Sequence, residues 1–360
     1  MEGEKMRILM VNNTKEENPS YTVRNKIVGM NLEKRGHKVF YKSTALNVDI
    51  DEYDVFIFNR FYEGTLLKYI GFLKSIGKTI IYETDDNYEG IDESHAYFKI
   101  KDYAILSSRE LIKLADGITV STPELKAEIT NYFPDAKVYV VPNALEFPKY
   151  RKRNGCNKKL RIGFQGSNIH VQDLLIVIDA IAELQKEYGF EFYIFGIDDK
   201  PFKELNKFCL EYDKKKWKWM EDFPKLYERL EQMDYKHIKT VPYEDYRDKL
   251  AELNLDIGIA PLTDNRFNRS KSCLKFYEYA AVGTVTLASK VIPYSLEMDE
   301  EDLVKNRHDK WLSKLRKLIV DAEYRQSRLY AQEAWVHENR DIEKVVEQWE
   351  NVIKTIKENV

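Results

Sequence analysis

The chain has 360 residues, 43% of them hydrophobic and 32% charged, which predicts two folded domains that each bury a core of their own. The formal net charge of −3 argues against nucleic acid as a partner, because phosphate backbones are bound by strongly basic surfaces. Three widely separated cysteines, Cys156, Cys209 and Cys273, have neither zinc-ligand nor disulfide spacing, which favours a reducing cytoplasm.

The N-terminal residues MEGEKMRILMV do not resemble a signal peptide, because acidic residues stand where lysines are expected and the apolar run is short. No segment of the sequence approaches the ~18 consecutive apolar residues that indicate a membrane-spanning helix. We therefore expect a cytoplasmic protein, and peripheral contact with the inner face of the membrane stays open beside that expectation.

Six short runs of β-branched and aromatic residues predict strands in the first part of the chain, at 7–11, 38–43, 54–59, 79–83, 117–121 and 138–142. A helix is predicted between the first two strands, where Val23, Ile27 and Met30 share one face. Another helix is predicted to begin at Thr122, which is a suitable N-cap and is followed by Pro123. Continuous apolar strands separated by helices indicate a parallel sheet covered on both faces.

The alternation of strands and helices stops at 143–159, which is polar and basic and is interpreted as an interdomain linker. It resumes with predicted strands at 161–167, 191–196, 237–241, 256–262 and 285–289. A helix-rich insertion is predicted at 202–235. From about residue 309 the chain is predicted to be helical, with an apolar stripe formed by Ile342, Val345, Trp349, Val352 and Ile356.

These elements predict an α/β protein with two Rossmann-like, doubly wound domains. The first domain is expected at 1–145, the linker at 146–158 and the second domain at 159–335, followed by a C-terminal helix at 336–360. Ligands of open α/β sheets bind outside the carboxyl ends of the strands. We therefore expect a site in a central cleft where the two domains face each other.

The segment 256–289 carries the strongest chemical pattern. A strand is expected to end at Pro261, and a helix is expected from near Ser270 to about Gly283 after a polar loop. The buried face of this helix is predicted to consist of Cys273, Phe276, Tyr277 and Ala280.

Lys271, Lys275 and Glu278 are spaced at i, i+4 and i+7, which predicts that they share another face of this helix. Two lysines on adjacent turns repel each other unless an anion lies between them, and a helix N-terminus that follows a strand attracts a diphosphate. Glu278 would accept hydrogen bonds from the two hydroxyls of a ribose. The alternative is a solvated helix on which Lys275 and Glu278 form an ordinary surface pair.

This segment resembles the signature that binds the nucleotide sugar in retaining GT-B glycosyltransferases of family 4. The pattern Lys-Ser-x-x-Lys-x-x-Glu-Tyr-x-Ala-x-Gly occurs here as Lys271, Ser272, Lys275, Glu278, Tyr279, Ala281 and Gly283. Family members usually carry two glutamates eight positions apart. Glu278 matches the second, which binds the ribose, whereas Ser270 stands where the first contacts the sugar. A subgroup that acts on surface polysaccharides and O-antigens similarly lacks the first glutamate.

The resemblance continues over 160–173, which looks like the glycine-bearing turn at the start of the family's second domain. It implies that Gly166 and Ser167 place backbone N–H groups near the diphosphate. Asn168 and His170 stand where the family often has arginine and lysine, and the two lysines of the 270s helix are expected to substitute for them.

Two further segments look like family elements. The turn at Val241, Pro242 and Tyr243 is similar to the one that holds the nucleobase, largely through backbone atoms. The final helix around Trp349 is similar to the helix that crosses back and packs on the first domain.

The resemblance implies a GT-B fold and transfer of a sugar from a nucleotide-diphosphate sugar to a cell-surface glycan, lipid-linked or similar acceptor, with retention of configuration. No protein nucleophile, metal or cofactor is expected, because Lys271, Lys275 and the helix N-terminus would stabilise the charge of the leaving phosphate. Two alternatives stay open. One is a GT-B sugar-nucleotide epimerase, and the other is a non-catalytic sugar-nucleotide-binding partner of a transferase.

Asp85 and Asp86 follow the strand predicted at 79–83 and are expected to face the cleft. Their spacing does not match the metal-binding Asp-x-Asp of the GT-A fold, so we expect them to hold hydroxyls of the acceptor or of the sugar. The alternative is a solvated turn with an Asx-type hydrogen bond between Asp86 and Asn87.

The loop at 12–22 lacks the GxGxxG fingerprint of dinucleotide sites. Its polar residues are weaker candidates for acceptor or sugar contacts, and they are Asn12, Asn13, Ser20 and Tyr21.

At 213–223, Trp217 and Trp219 alternate with lysines, which favours contact with anionic lipid headgroups. The alternative is that both tryptophans pack the insertion onto its domain.

Overall fold

The structure, a computed structural model, describes residues 5–12, 19–60, 64–95, 97–152, 155, 157–197 and 218–360. Within these ranges the strands form two six-stranded sheets in which all paired strands are parallel. The predicted α/β class with two doubly wound sheets is confirmed.

The first sheet has the strand order β2-β1-β3-β4-β5-β6. Its strands are β1 (Arg7–Asn12), β2 (Lys38–Lys42), β3 (Val55–Asn59), β4 (Thr79–Thr84), β5 (Gly117–Val120) and β6 (Val138–Val140). The helices beside it are α1 (Pro19–Tyr21), α2 (Ile27–Lys34), α3 (Gly64–Ser75), α4 (Lys101–Leu114) and α5 (Pro123–Tyr132). The strands β3, β4 and β5 are buried at every residue, as expected where helices cover both faces of a sheet.

The second sheet has the strand order β12-β11-β10-β7-β8-β9. Its strands are β7 (Arg161–Gln165), β8 (Glu191–Phe195), β9 (Lys236–Ile238), β10 (Ile257–Ala260), β11 (Val285–Ser289) and β12 (Leu303–Val304). The helices are α6 (Val171–Leu175), α7 (Ile178–Tyr188), α8 (Asp222–Leu230), α9 (Tyr243–Glu252), α10 (Arg266–Arg269), α11 (Leu274–Ala281), α12 (Tyr294–Glu297), α13 (His308–Val320) and α14 (Ala322–Asn339).

Each sheet has a point where the strand order reverses, beside β1 in the first and beside β7 in the second. Such a switch point opens a crevice at the carboxyl ends of the neighbouring strands. The predicted start of α5 is confirmed, because Thr122 Oγ1 accepts a hydrogen bond from Leu125 N at 3.2 Å and Pro123 is the first helical residue.

The last helix, α15 (Ile342–Glu358), packs on the first domain. The guanidinium of Arg24 lies 4.8 Å from the ring centre of Trp349, which is fully buried. Val352, assigned to the apolar stripe, is only partly buried, and Ile353 lies in the core instead. Within the described part of the chain, no helix combines the length and apolar character needed to cross a membrane.

Candidate functional site

A cavity of about 340 Å³ lies at the carboxyl ends of the second sheet, beside β7 and under the edge of the first domain. Its lining residues are Pro19, Gln165, Gly166, Ser167, His170, Phe195, Gly196, Thr240, Val241, Tyr243, Tyr246, Leu274, Lys275 and Glu278. Seven of the predicted site residues therefore meet in one place, namely Gly166, Ser167, His170, Val241, Tyr243, Lys275 and Glu278. The position beside β7 is the switch point of this sheet.

The turn after β8 brings the backbone close to the turn after β7. Gly196 has a φ of +93°, and a Cβ at this position would lie 3.0 Å from the carbonyl oxygen of Gly166. Glycine is therefore required at residue 196, and the N–H of Gly166 donates to the carbonyl of Phe195 at 2.9 Å in the same turn.

Glu278 is 4% exposed, so it is not part of a solvated surface pair with Lys275. Its carboxylate accepts hydrogen bonds from Tyr246 Oη at 2.9 Å, Tyr243 Oη at 3.3 Å and Gln165 Nε2 at 3.3 Å. Burial raises the pKa of Glu278 to about 7, although these three hydrogen bonds oppose the shift. The rings of Tyr243 and Tyr246 are stacked with centroids 5.5 Å apart.

Lys275 is oriented by a neutral histidine. Its Nζ lies 3.3 Å from Nε2 of His170, whose Nδ1 lies 2.7 Å from a carboxylate oxygen of Asp173. Burial and the positive charge of Lys275 lower the pKa of His170 to about 3. With Nδ1–H donating to Asp173, Nε2 is the acceptor that faces the ammonium. Burial also lowers the pKa of Lys275 to about 8.

The predicted helix from Ser270 to Gly283 is wrong at its beginning. The structure has the short helix α10, a non-helical connection at 270–273, and α11 from Leu274 to Ala281. Lys271 therefore lies before the helix and does not share a helical face with Lys275 and Glu278. The predicted buried face is confirmed, since Cys273, Phe276, Tyr277 and Ala280 are each no more than 1% exposed.

Contacts with the first domain explain the break between α10 and α11. The carbonyl oxygen of Ser270 accepts a hydrogen bond from Thr122 Oγ1 at 2.8 Å, and its hydroxyl accepts one from Asn87 Nδ2 at 3.0 Å. The hydroxyl of Ser272 accepts a hydrogen bond from Asn143 Nδ2 at 2.8 Å. Neither serine lines the cavity, and Asn168, in the 3₁₀ turn before α6, does not line it either.

Asp85 and Asp86 lie at the carboxyl end of β4 and bind Arg60, whose side chain is 11% exposed. Asp86 Oδ2 lies 2.7 Å from Nη2 of Arg60, and Asp85 Oδ1 lies 4.0 Å from its Nε. Asp85 also accepts a hydrogen bond from the hydroxyl of Ser20. The side chains of the two aspartates are 17% and 14% exposed, so the solvated-turn alternative is wrong. The Asx-type bond is made by Asn87, which accepts from Gly90 N at 3.1 Å.

Lys271 extends the charged cluster from the second domain toward these aspartates. Burial lowers its pKa, while the charges of Asp173, Asp86 and Asp85 oppose that shift. Its Nζ lies 5.0 Å from the ring centre of Phe267. The cleft therefore carries cations from both domains, next to carboxylates from both.

Of the weaker candidates of the first loop, three do not line the cavity and one lies outside the described residues. Asn12 is 3% exposed and Tyr21 is 8% exposed, and neither lines the cavity. Asn13 lies outside the described residues, as do Trp217 and the side chain of Trp219, so the membrane prediction stays a prediction.

Sequence reasoning missed several residues that the fold adds to the cleft. Arg60, at a φ of +71°, and His95 come from the first domain, and Gln165, Asp173 and Tyr246 come from the second. His95 stacks on Phe267 with ring centroids 4.2 Å apart, and burial together with the charge of Lys271 lowers the pKa of His95 to about 4. Tyr246 and Asp173 lie three residues after Tyr243 and His170, a helical spacing that offered a usable signal.

No group of three or more histidine, cysteine or carboxylate side chains that could hold a metal ion occurs among the described residues. No protein-family model matches the sequence, and no curated protein matches it significantly.

Solved structures do resemble this chain over nearly its whole length. Sucrose-phosphate synthase of Thermosynechococcus elongatus has a TM-score of 0.69 at 11% identity, over 98% of this chain and 99% of that one. The HepE protein of Anabaena, in complex with UDP and glucose, has a TM-score of 0.65 at 11% identity, over 97% and 100%. A glycosyltransferase of Rickettsia africae has a TM-score of 0.66 at 11% identity, over 99% and 100%. The predicted GT-B fold is confirmed.

Proposed function

We propose that this chain is a glycosyltransferase, which moves a sugar from a nucleotide-diphosphate sugar to a hydroxyl of a cell-surface glycan, lipid-linked or similar acceptor. The observation that carries the proposal is the meeting of Gly166, Ser167, Lys275 and Glu278 in one interdomain cavity of a GT-B fold. These groups suit a nucleoside diphosphate. Its two ribose hydroxyls donate hydrogen bonds to a carboxylate, and its negatively charged diphosphate binds an ammonium and backbone N–H groups.

The parts of the nucleotide have distinct places in this cavity. Glu278 accepts the hydrogen bonds of the ribose hydroxyls, and the turn at Val241 and Tyr243 faces the nucleobase. Ser167 donates a backbone hydrogen bond to the diphosphate beside Lys275, whereas the N–H of Gly166 already donates to the carbonyl of Phe195 at 2.9 Å. The complex of the structurally similar HepE protein with UDP and glucose makes UDP-sugars the first donors to test.

Catalysis in this proposal is electrostatic. As the bond between the sugar and the phosphate breaks, negative charge grows on the diphosphate, and Lys275 and Lys271 stabilise it more strongly than in the ground state. A partly buried ammonium acts more strongly than an exposed one, because fewer water molecules screen it. His170 holds Lys275 in place. Because the imidazole of His170 is neutral, the positive charge stays on the ammonium of Lys275.

Retention of configuration and membership of family 4, in its polysaccharide-directed subgroup, rest on the resemblance at 271–283 with Ser270 in place of the first glutamate. The acceptor would approach from the first domain, where Asp85 and Asp86 lie near enough to Lys271 of the second domain for their charges to oppose the lowering of its pKa by burial. Carboxylates of this kind accept hydrogen bonds from sugar hydroxyls. A cytoplasmic location at the inner face of the membrane is part of this proposal.

A thermal-shift screen of sugar nucleotides, followed by assay of nucleoside diphosphate release with and without acceptor extracts, tests the function. A bound nucleotide sugar raises the melting temperature in proportion to the logarithm of its concentration over Kd. Acceptor-dependent release supports a transferase. Interconversion of sugar nucleotides supports the epimerase, and binding without turnover supports the non-catalytic partner.

The value of kcat/KM for the nucleotide sugar is expected to follow a bell-shaped pH profile. It should rise as the pH passes about 7, the pKa of Glu278, because the ionised carboxylate is the better acceptor for ribose hydroxyls. It should fall as the pH passes about 8, the pKa of Lys275, because the neutral amine no longer stabilises phosphate charge. Initial rates across both limbs measure this. The Glu278→Gln variant should lose the acid limb, and an acid limb near pH 7 in that variant would contradict the assignment.

Transfer is expected to continue in the presence of EDTA. Lys271 and Lys275 supply positive charge to the diphosphate, and Arg60 already occupies the carboxylate of Asp86 at 2.7 Å. Rates are compared after dialysis against EDTA and after addition of Mg²⁺ or Mn²⁺. Activity lost on chelation and restored by either ion would instead assign metal binding to Asp85 and Asp86.

A further inference from the structure

The segment from Arg266 to Ser272, called the docking segment below, belongs to the second domain but makes its main contacts with the first. It follows the carboxyl end of β10 and includes α10 and the connection to α11. Asn265 caps α10 by accepting a hydrogen bond from Asn268 N at 2.8 Å, and Asn268 Nδ2 donates to the carbonyl of Thr263 at 2.9 Å. The segment is therefore locally ordered and presents its side chains as a unit.

Phe267 is inserted into the first domain. It is 3% exposed and packs in a hydrophobic cluster whose other buried members, Tyr88, Ile91 and Ala104, all belong to that domain. The ring of His95 covers it, with centroids 4.2 Å apart. Burial of a phenylalanine side chain stabilises such a contact, because it removes a large apolar surface from water. The docking segment thus anchors the second domain in a small apolar cluster of the first.

Arg266 and a glycine reinforce this anchor. The guanidinium of Arg266 donates to the carboxylate of Glu128 at 2.5 to 3.1 Å and to Tyr132 Oη at 2.8 Å, both on α5 of the first domain. At Gly90 a Cβ would lie 2.8 Å from Phe267 N and 3.0 Å from Arg266 C. The two backbones approach so closely that only glycine fits without displacing the docking segment.

The docking segment also carries Lys271, between Ser270 and Ser272, whose hydroxyls accept hydrogen bonds from Asn87 and Asn143 of the first domain. We propose that Phe267 and Arg266 are positioning residues that place Lys271 against the diphosphate only when the two domains are docked. This inference rests on the proposed function, and it deepens it. The nucleotide cavity is lined almost entirely by the second domain, so nucleotide binding would not require docking, whereas turnover would.

Three variants test the proposal, each compared with wild type for kcat and for nucleotide Kd. Phe267→Ala removes the anchor, Arg266→Ala removes a 42% exposed side chain that binds Glu128 and Tyr132, and Gly90→Ala adds one methyl group at the contact. We expect kcat to fall on the order of 100-fold in Phe267→Ala and Gly90→Ala, because small displacements of a catalytic group have effects of that size. A smaller loss is expected for Arg266→Ala. Nucleotide Kd should change less than threefold, measured with UDP and with the best sugar nucleotide found.

Gly71→Ala is the matched control, because a Cβ there meets only Leu114 Cδ2 at an ordinary 3.7 Å. It should keep wild-type kcat. Phe267→Leu should keep part of the activity that Phe267→Ala loses, because leucine fills more of the space beside Tyr88 and Ile91 than alanine does. Small-angle scattering of the ligand-free proteins provides a readout without turnover, and Gly90→Ala should have a larger radius of gyration than Gly71→Ala.

Unchanged kcat and unchanged radius of gyration in Gly90→Ala and Phe267→Ala would overturn the proposal. A parallel loss of kcat and nucleotide affinity would overturn it too, since the damage would then lie in the nucleotide cavity. If wild type turns over no nucleotide sugar, the proposed function fails. The scattering comparison then still decides whether the docking segment holds the domains together.

Discussion

Replacement of Lys275 by alanine is expected to lower kcat by about 10²–10³-fold, the usual cost of removing a group that stabilises charge in a transition state. Nucleotide-sugar affinity should fall much less, because the charge on the phosphate grows as the sugar departs. The structure adds a reason for the size of the effect. The ammonium lies 3.3 Å from Nε2 of a neutral imidazole, so His170 does not replace its positive charge when the lysine is removed. Steady-state kinetics measures the loss of kcat, and a separate measurement of Kd gives the loss of nucleotide-sugar affinity.

Two companion variants sharpen this experiment. Lys275→Arg should recover only part of the activity, because a planar guanidinium does not fit the place of a compact ammonium beside His170 Nε2. Lys305→Ala, at an exposed lysine, is the matched control and should keep wild-type kcat. If Lys275→Ala left kcat unchanged and only raised KM, the lysine would bind the ground state and transition state equally. The electrostatic mechanism would then be wrong.

The central strands were predictable because they are buried on both faces of parallel sheets. Continuous apolar runs such as VFIFN and IGIA need no partner information to be recognised. The exception is β12, whose two residues, Leu303 and Val304, are too short to show any periodicity. The fold prediction therefore depends on local sequence. The strand that it omits among the described residues is β12, which lies at the edge of the second sheet.

The error at Lys271 has a tertiary cause. Nothing in the sequence SKSCLKFYEY prevents a helix that starts at Ser270, and the i, i+4 spacing of the lysines favours one. Hydrogen bonds from Thr122, Asn87 and Asn143 in the first domain hold 270–272 in another conformation. Those partners lie more than 120 residues away in the chain, so local propensity carries no information about them.

The same limit applies to the residues that sequence reasoning missed. In the sequence, Arg60 is a single basic residue after a predicted strand, and His95 is a single histidine in an acidic segment. Neither residue belongs to a recognisable motif. Only the fold shows that Arg60 binds Asp85 and Asp86, and that His95 covers Phe267 from the other domain. The resemblance to a family signature predicts groups that are expected to touch the ligand. The residues that hold those groups in place come from distant segments and escape such patterns.

Replacement of Glu278 by alanine is expected to weaken nucleotide-sugar binding by roughly ten- to a hundredfold. Hydrogen bonds to a charged acceptor are worth about 1.5–3 kcal/mol, and each ~1.4 kcal/mol is a factor of ten in Kd. Titration calorimetry with the nucleoside diphosphate and with the nucleotide sugar measures this. Both ligands should lose the same factor, because the ribose is common to them.

The structure also shows why alanine alone is an ambiguous test. Glu278 accepts hydrogen bonds from Tyr246, Tyr243 and Gln165, and its removal leaves these groups without their acceptor inside a buried site. Glu278→Gln keeps the shape and removes the charge, and Tyr246→Phe removes one of the three bonds while leaving the carboxylate. If the carboxylate binds the ribose, Glu278→Gln should weaken Kd nearly as much as alanine, and Tyr246→Phe should weaken it only a few-fold. Equal, small losses in melting temperature with unchanged Kd in all three variants would show that Glu278 stabilises the fold and does not bind the nucleotide.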